Sequence, residues 1–179
     1  MNTIHLNKLL LKTAFSCMAC DGDIDKREIK LLKQLHKKDK TFGEIDINAE
    51  LDALLLAINK DGQKFLRDYI KELTTIELTE ANELKLIEAA IDIIKADEKV
   101  EYSEIKFFKV IRSKLKIENE PILIKHPDFE DYLEQDIVTD SYLLRLQDDF
   151  FATHISKEFE MISKIEDDTW INLKEDDEE

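Results

Sequence analysis

Shifted by 76 positions, this sequence falls on itself. Asp21 lands on Asp97, Ala14 on Ala90, Ile24 on Val100, Asp25 on Glu101 and Glu28 on Glu104. The register continues with Ile29 on Ile105, Lys30 on Lys106, Leu32 on Phe108 and Lys33 on Lys109. Each copy reads as an apolar helix, an acidic turn and a second, amphipathic helix. A lone hairpin of this kind cannot bury its own apolar face. Two of them can bury each other's, so the repeat predicts paired hairpins with approximate two-fold symmetry.

The rest of the chain agrees with a helical reading. Only 3 Gly and 2 Pro occur in 179 residues, which leaves few places for a positive φ or a broken helix. Apolar spacing predicts a first helix over about 3–20, through Leu6, Leu9, Leu10, Thr13, Ala14, Cys17 and Met18. A second is expected over about 26–38, with Ile29, Leu31, Leu32 and Leu35 inward. Residues 39–48 read as a polar connection carrying Gly43. Leu51, Leu54, Leu55 and Ile58 resume the helical pattern, Asp61-Gly62 marks a break or kink, and Phe65 to Leu73 continue it. Thr79 is a candidate N-cap for a helix reaching about 96. Ala90 and Ile93 widen that helix's apolar stripe, which suits a central position. A further helix is expected from 102 to about 116, with Ile105, Phe108, Ile111 and Leu115 inward.

The character changes after Glu120, where Pro121 and Pro127 punctuate and aromatic residues collect. The expected fold is all-α, a bundle of about six to eight helices built on the two hairpins. The expected organisation is a helical domain over 1–120 and an extension over 121–179. The extension is partly helical, with 142–151 as a candidate helix and Lys174–Glu179 as an acidic tail. It packs on the domain or offers a contact segment to other proteins.

The formal net charge of −15 repels nucleic-acid phosphates, so no nucleic-acid partner is expected. Cations and basic protein surfaces suit such a chain, and solubility alone also explains it. No run of 18 apolar residues exists to span a membrane, and Lys8 and Lys12 interrupt the apolar start, so a cytoplasmic protein is expected. Cys17 and Cys20 share one face of a helix that no strand precedes, which fits small core residues better than a redox pair. No second cysteine pair completes a zinc site. The four histidines follow no metal spacing and read as surface or packing residues. Nucleophile elbows, P-loops and dinucleotide glycines are absent, and no catalytic activity is expected.

The two acidic turns also carry a family resemblance. Asp21-Gly22-Asp23-Ile24-Asp25-x-x-Glu28-Ile29 and its copy Asp97-x-x-Val100-Glu101-x-x-Glu104 resemble the TerB family. These are tellurite-resistance-associated helical domains, also found fused to J-domain co-chaperones. The resemblance covers residues 5–117. Cys20 stands where the family has Ala, and Glu98 stands where Gly would follow Asp97. The resemblance implies an all-helical fold and a role in metal or oxyanion stress response, with no catalytic reaction.

Three carboxylates within five residues suit a hard divalent cation such as Ca²⁺ or Mg²⁺. They do not make an EF-hand, because Lys26 falls where its Gly belongs and Leu32 where its Glu belongs. Together the turns offer Asp21, Asp23, Asp25, Glu28, Asp97, Glu101 and Glu104 as metal ligands. Helix capping explains Asp25 and Glu28, and the helix dipole explains Glu101 and Glu104. Asx turns are a further structural role for Asp21 and Asp97, which capping accounts for least. A partner-protein surface is the third reading of the turns.

Overall fold

The computed structural model describes residues 2–21, 24, 26–96, 102–133 and 161, apart from the side chains of Asp21, Lys26, Arg27, Asp39 and Ala96. Among the described residues the chain is all-helical, as expected, and holds no strand. None of these helices is long and apolar enough to cross a membrane.

The first helix, α1 (Thr3–Met18), starts on Asn2, whose side chain accepts the Ile4 N–H at 3.1 Å. It runs directly into a 3-10 turn at Ala19–Asp21. Every residue from Thr13 to Cys20 is buried. A single apolar face was the expectation, yet Leu11, Phe15 and Ser16 are covered as well. The reason is position: α1 packs against α3 (Ile47–Thr75), α4 (Glu80–Ala96) and α5 (Tyr102–Ser113). Its most extensive partner is α4, where Leu86, Ile87, Ala89, Ala90, Ile91, Ile93 and Ile94 are buried. Two apolar helices thus face each other at the centre.

The second helix, α2 (Lys26–Asp39), ends at Lys40, a left-handed residue whose N–H bonds to the His36 carbonyl at 2.9 Å. Gly43 follows at φ +63. The Asn7 side chain lies over its α-carbon, and a Cβ there would meet Asn7 Nδ2 at 2.0 Å. Both the backbone and the close approach require glycine at this position.

Asp46 caps α3 by accepting the Ala49 N–H at 3.1 Å. The helix is interrupted at Asp61, which is extended at φ −165 and ψ 87. The Asp61 carboxylate accepts the Lys64 N–H at 2.9 Å and so recaps the second half. The break expected at Asp61-Gly62 is therefore present. Thr79 caps α4 as expected, its hydroxyl accepting the Asn82 N–H at 3.3 Å.

The end of α5 falls at Ser113, three residues before the expected stop. Glu83, near the start of α4, explains the difference. Its Oε2 accepts the N–H of Lys116 at 2.8 Å and of Ile117 at 2.7 Å. Amides bound to a side chain are not available to extend a helix. The captured segment leads into α6 (Asn119–Lys125), a 3-10 turn at Pro127–Phe129 and α7 (Glu130–Leu133). Pro121 sits in the first turn of α6, where its missing N–H costs nothing.

This segment joins the same core. Ile122, Phe129 and Leu133 are buried, and Phe129 meets Phe108 edge-to-face at 5.4 Å. Phe107 and Val110 join the expected inward residues of α5, which is covered on more than one side. Met161 also packs on this core. The candidate helix at 142–151 and the run Lys174–Glu179 lie outside the described residues.

The hairpin contacts are reciprocal. Besides the central α1–α4 pair, α2 touches α4 and α5 touches α1. The second helix of each hairpin thus rests on the first helix of the other.

Candidate functional site

Of the seven carboxylates expected to hold a cation, two have described side chains. Glu28 lies half-buried in the first turn of α2. Glu104 lies in the first turn of α5 and is only 5 % exposed. Both are engaged in interactions. Asp21 closes the 3-10 turn, but its side chain lies outside the described residues. Asp23, Asp25, Asp97 and Glu101 lie outside them altogether.

The frame that holds the turns is described. Ala19 and Cys20 are buried, and the Ala19 N–H bonds to the Phe15 carbonyl, so the first turn leaves a rigid helix end. Ile24, inside the turn, packs on the core. Ile93 and Ile94 anchor the end of α4 before the second turn. The Ala19–Asp21 turn packs on α5, the helix that opens after the second acidic turn.

Electrostatics tie the two hairpins together at this place. Burial pushes the Cys17 thiol far above its ordinary range, and the Glu104 charge adds to the shift. A carboxylate of the second hairpin is thus felt one helical turn before Asp21 of the first. Capping and dipole arguments leave a first-turn Glu on the surface, so the burial of Glu104 was not legible. Beside Cys17, the buried Tyr69 hydroxyl donates to Thr13 Oγ1 at 3.0 Å. Thr13 in turn donates to the Leu9 carbonyl at 2.8 Å. Burial, then the Cys17 thiol, raise the Tyr69 hydroxyl well above its ordinary value, and the Thr13 bond offsets part of this. Both cysteines are buried thiols. A thiol so placed stays protonated and is not a nucleophile.

No protein-family model, curated protein or solved structure matches the chain.

Among the described residues, no three His, Cys, Asp or Glu side chains gather into a metal-binding group. Glu28 and Glu104 thus need carboxylates of the turns to complete any centre. His5 lies 3.5 Å from Glu72, His36 stacks on Phe42, and His126 ends α6. His154 lies outside the described residues. An open groove of about 620 Å³ runs between α1, the Lys40–Gly43 connection, α4 and the end of α6. Its Lys40 and Lys125 already pair with Glu44 and Glu88.

The polar face of α2 is a feature the apolar pattern does not show. Residues 26–40 hold seven basic and two acidic side chains, a net +5 in a chain of −15. Lys30, Lys33 and Lys37 recur at helical spacing. The signal that finds them is charge periodicity.

Proposed function

We propose that the chain is a TerB-like, non-catalytic helical module whose two acidic turns together bind a divalent cation, Ca²⁺ or Mg²⁺, in tellurite or metal stress response. The ligands come from Asp21, Asp23, Asp25, Glu28, Asp97, Glu101 and Glu104. Asp21 and Asp97 are the leading ones, since capping accounts for them least.

One observation carries the reading. The start of the first turn rests on α5, and Glu104 is felt at Cys17 beside it. A second observation supports duplication: each hairpin's second helix rests on the other's first. A divalent cation of this kind takes six or more oxygen ligands, which two copies together can supply and one copy alone cannot.

Calorimetric melting of the full chain tests this with chelator against millimolar Ca²⁺ or Mg²⁺. At a cation concentration about 100 times Kd, binding stabilises the fold by about 2.7 kcal/mol. For a chain of this size that raises Tm by roughly 5–10 °C. The rise should vanish in Asp21→Asn/Asp97→Asn. Superimposable melting curves with and without cation refute the reading.

Ile124, 76 % exposed on α6, favours a second reading in which this region contacts another protein. Ile124→Asp should then abolish capture of that protein while leaving Tm unchanged. Capture that survives the change refutes this reading.

A further inference from the structure

We propose that the groove beside the Lys40–Gly43 connection binds a small aliphatic carboxylate, whose anionic group takes in the first repeat the acceptor role that Glu83 fills in the second. The proposal is independent of cation binding.

The two hairpins treat the segment after their second helix differently. The shift of 76 positions sets Asn7 against Glu83, Lys40 against Lys116 and Thr41 against Ile117. The fold keeps this correspondence, since the first helix of each hairpin reaches the segment that follows its own second helix. In the second copy Glu83 accepts the Lys116 and Ile117 N–H groups at 2.8 and 2.7 Å. In the first copy the Asn7 side chain lies over Gly43 and makes no hydrogen bond among the described residues. The Lys40 and Gly43 N–H groups are taken by the His36 and Lys40 carbonyls, at 2.9 and 2.7 Å. The Thr41 N–H, counterpart of the captured Ile117 N–H, has no partner among the described residues. A neutral amide on α1 thus stands where the second copy has a carboxylate, and a backbone donor is left over.

Asn7 and Thr41 both line the groove of about 620 Å³, a size within the roughly 300–1,000 Å³ of small-molecule sites. Lys85 of α4 lines it too, and has no ion-pair partner among the described residues. Lys40 is tied only by an exposed pair with Glu44, four residues on, and such pairs are weak. The acidic groups of the groove are already matched. Glu88 pairs with Lys125 of α6, and Asp92 is engaged. Donors therefore outnumber open acceptors, and a ligand that only accepts supplies what is missing. The buried Leu6, Leu10 and Ala89 give the groove an apolar floor. A carboxylate on a short alkyl chain suits donors and floor together, and the Glu83 side chain is such a group in tethered form. The net charge of −15 repels anions at long range, but at physiological ionic strength this field is screened beyond about 8 Å, so local contacts decide.

Amide NMR of the ¹⁵N-labelled full chain, titrated with octanoate, tests the site. The Thr41 N–H should move downfield and saturate, as it gains a charged acceptor. Octanol and inorganic phosphate, each offering one half of the recognition, should move it far less at equal concentration. Asn7→Glu gives the first repeat the residue of the second. It should weaken octanoate binding at least tenfold, because it removes a donor and adds a like charge. Lys85→Gln changes an exposed side chain, so the fold is kept, and it should weaken binding about two- to fivefold. No saturation by about 10 mM octanoate overturns the proposal. Equal movement with octanol shows a merely apolar groove and overturns it as well, as does unchanged affinity in Lys85→Gln.

Discussion

Glu83 should be worth more to this fold than any surface charge. Its carboxylate is 6 % exposed and holds the N–H groups of Lys116 and Ile117. Hydrogen bonds to a charged acceptor contribute about 1.5–3 kcal/mol each. Glu83→Ala removes both and leaves the buried Ile117 amide without a partner. Burial lowers the pKa of the nearby Arg112 guanidinium, against the opposing fields of Glu118 and Glu83. Losing Glu83 therefore also weakens support for a half-buried cation. A loss of about 3 kcal/mol follows, which is a large share of a typical 5–15 kcal/mol. Tm should drop by roughly 6–12 °C for a chain of this length. Glu83→Gln keeps one acceptor oxygen and should lose about half as much. Urea unfolding monitored by circular dichroism measures both variants. A loss under about 1 kcal/mol in Glu83→Ala would show that water satisfies these amides as well as the carboxylate does, and would refute the reasoning.

Phe129→Ala should destabilise by about 3–5 kcal/mol in the same assay, because a buried ring against Phe108 leaves a cavity. A negligible change would place Phe129 outside the cooperative core. Gly43→Ala should cost more than about 1 kcal/mol through its positive φ, and the Asn7 clash should add to this. In Asn7→Ala/Gly43→Ala only the backbone part should remain, so strict additivity of the two changes would contradict the clash. Cys17 and Tyr69 both hold their protons more tightly folded than unfolded. Their stability contribution is full below the unfolded values and declines as pH rises above about 8.5 for the thiol and about 10 for the phenol. The slope should reach about 1.4 kcal/mol per pH unit for each group, and Cys17→Ala should flatten the first part. Stability that stays constant to pH 10 in the parent chain would contradict that burial.

The hairpin helices were legible because their apolar residues follow a helical period that local sequence carries in full. Asp61-Gly62 and Thr79 were legible because breaks and caps are local chemistry. The all-round burial of α1 was not, since a stripe on one helix says nothing about what covers the opposite side. The early stop of α5 depends on Glu83, which lies 33 residues away from Lys116, and no local pattern reports it. Helices around Asn119–Leu133 were obscured because Pro121 reads as punctuation although a first helical turn tolerates it. At the candidate site, the carboxylate chemistry was plain from residue type. The burial of Glu104 was not, because a Glu at a helix start looks the same in sequence whether it faces water or Cys17.

The central pairing of α1 with α4 sets a clock on synthesis. From Met18 to Ala96 the ribosome must add 78 residues, and it takes roughly 4–16 s to do so at ordinary elongation rates. Throughout that interval the half of α1 that ends up dry on every side lacks α4, the helix that covers it most. Neither α2 nor the first part of α3 substitutes for α4, its most extensive partner. The newborn chain therefore passes through a stage in which its most apolar helix is its most exposed one. Association with other chains competes with folding during that stage and ends only when the second hairpin arrives.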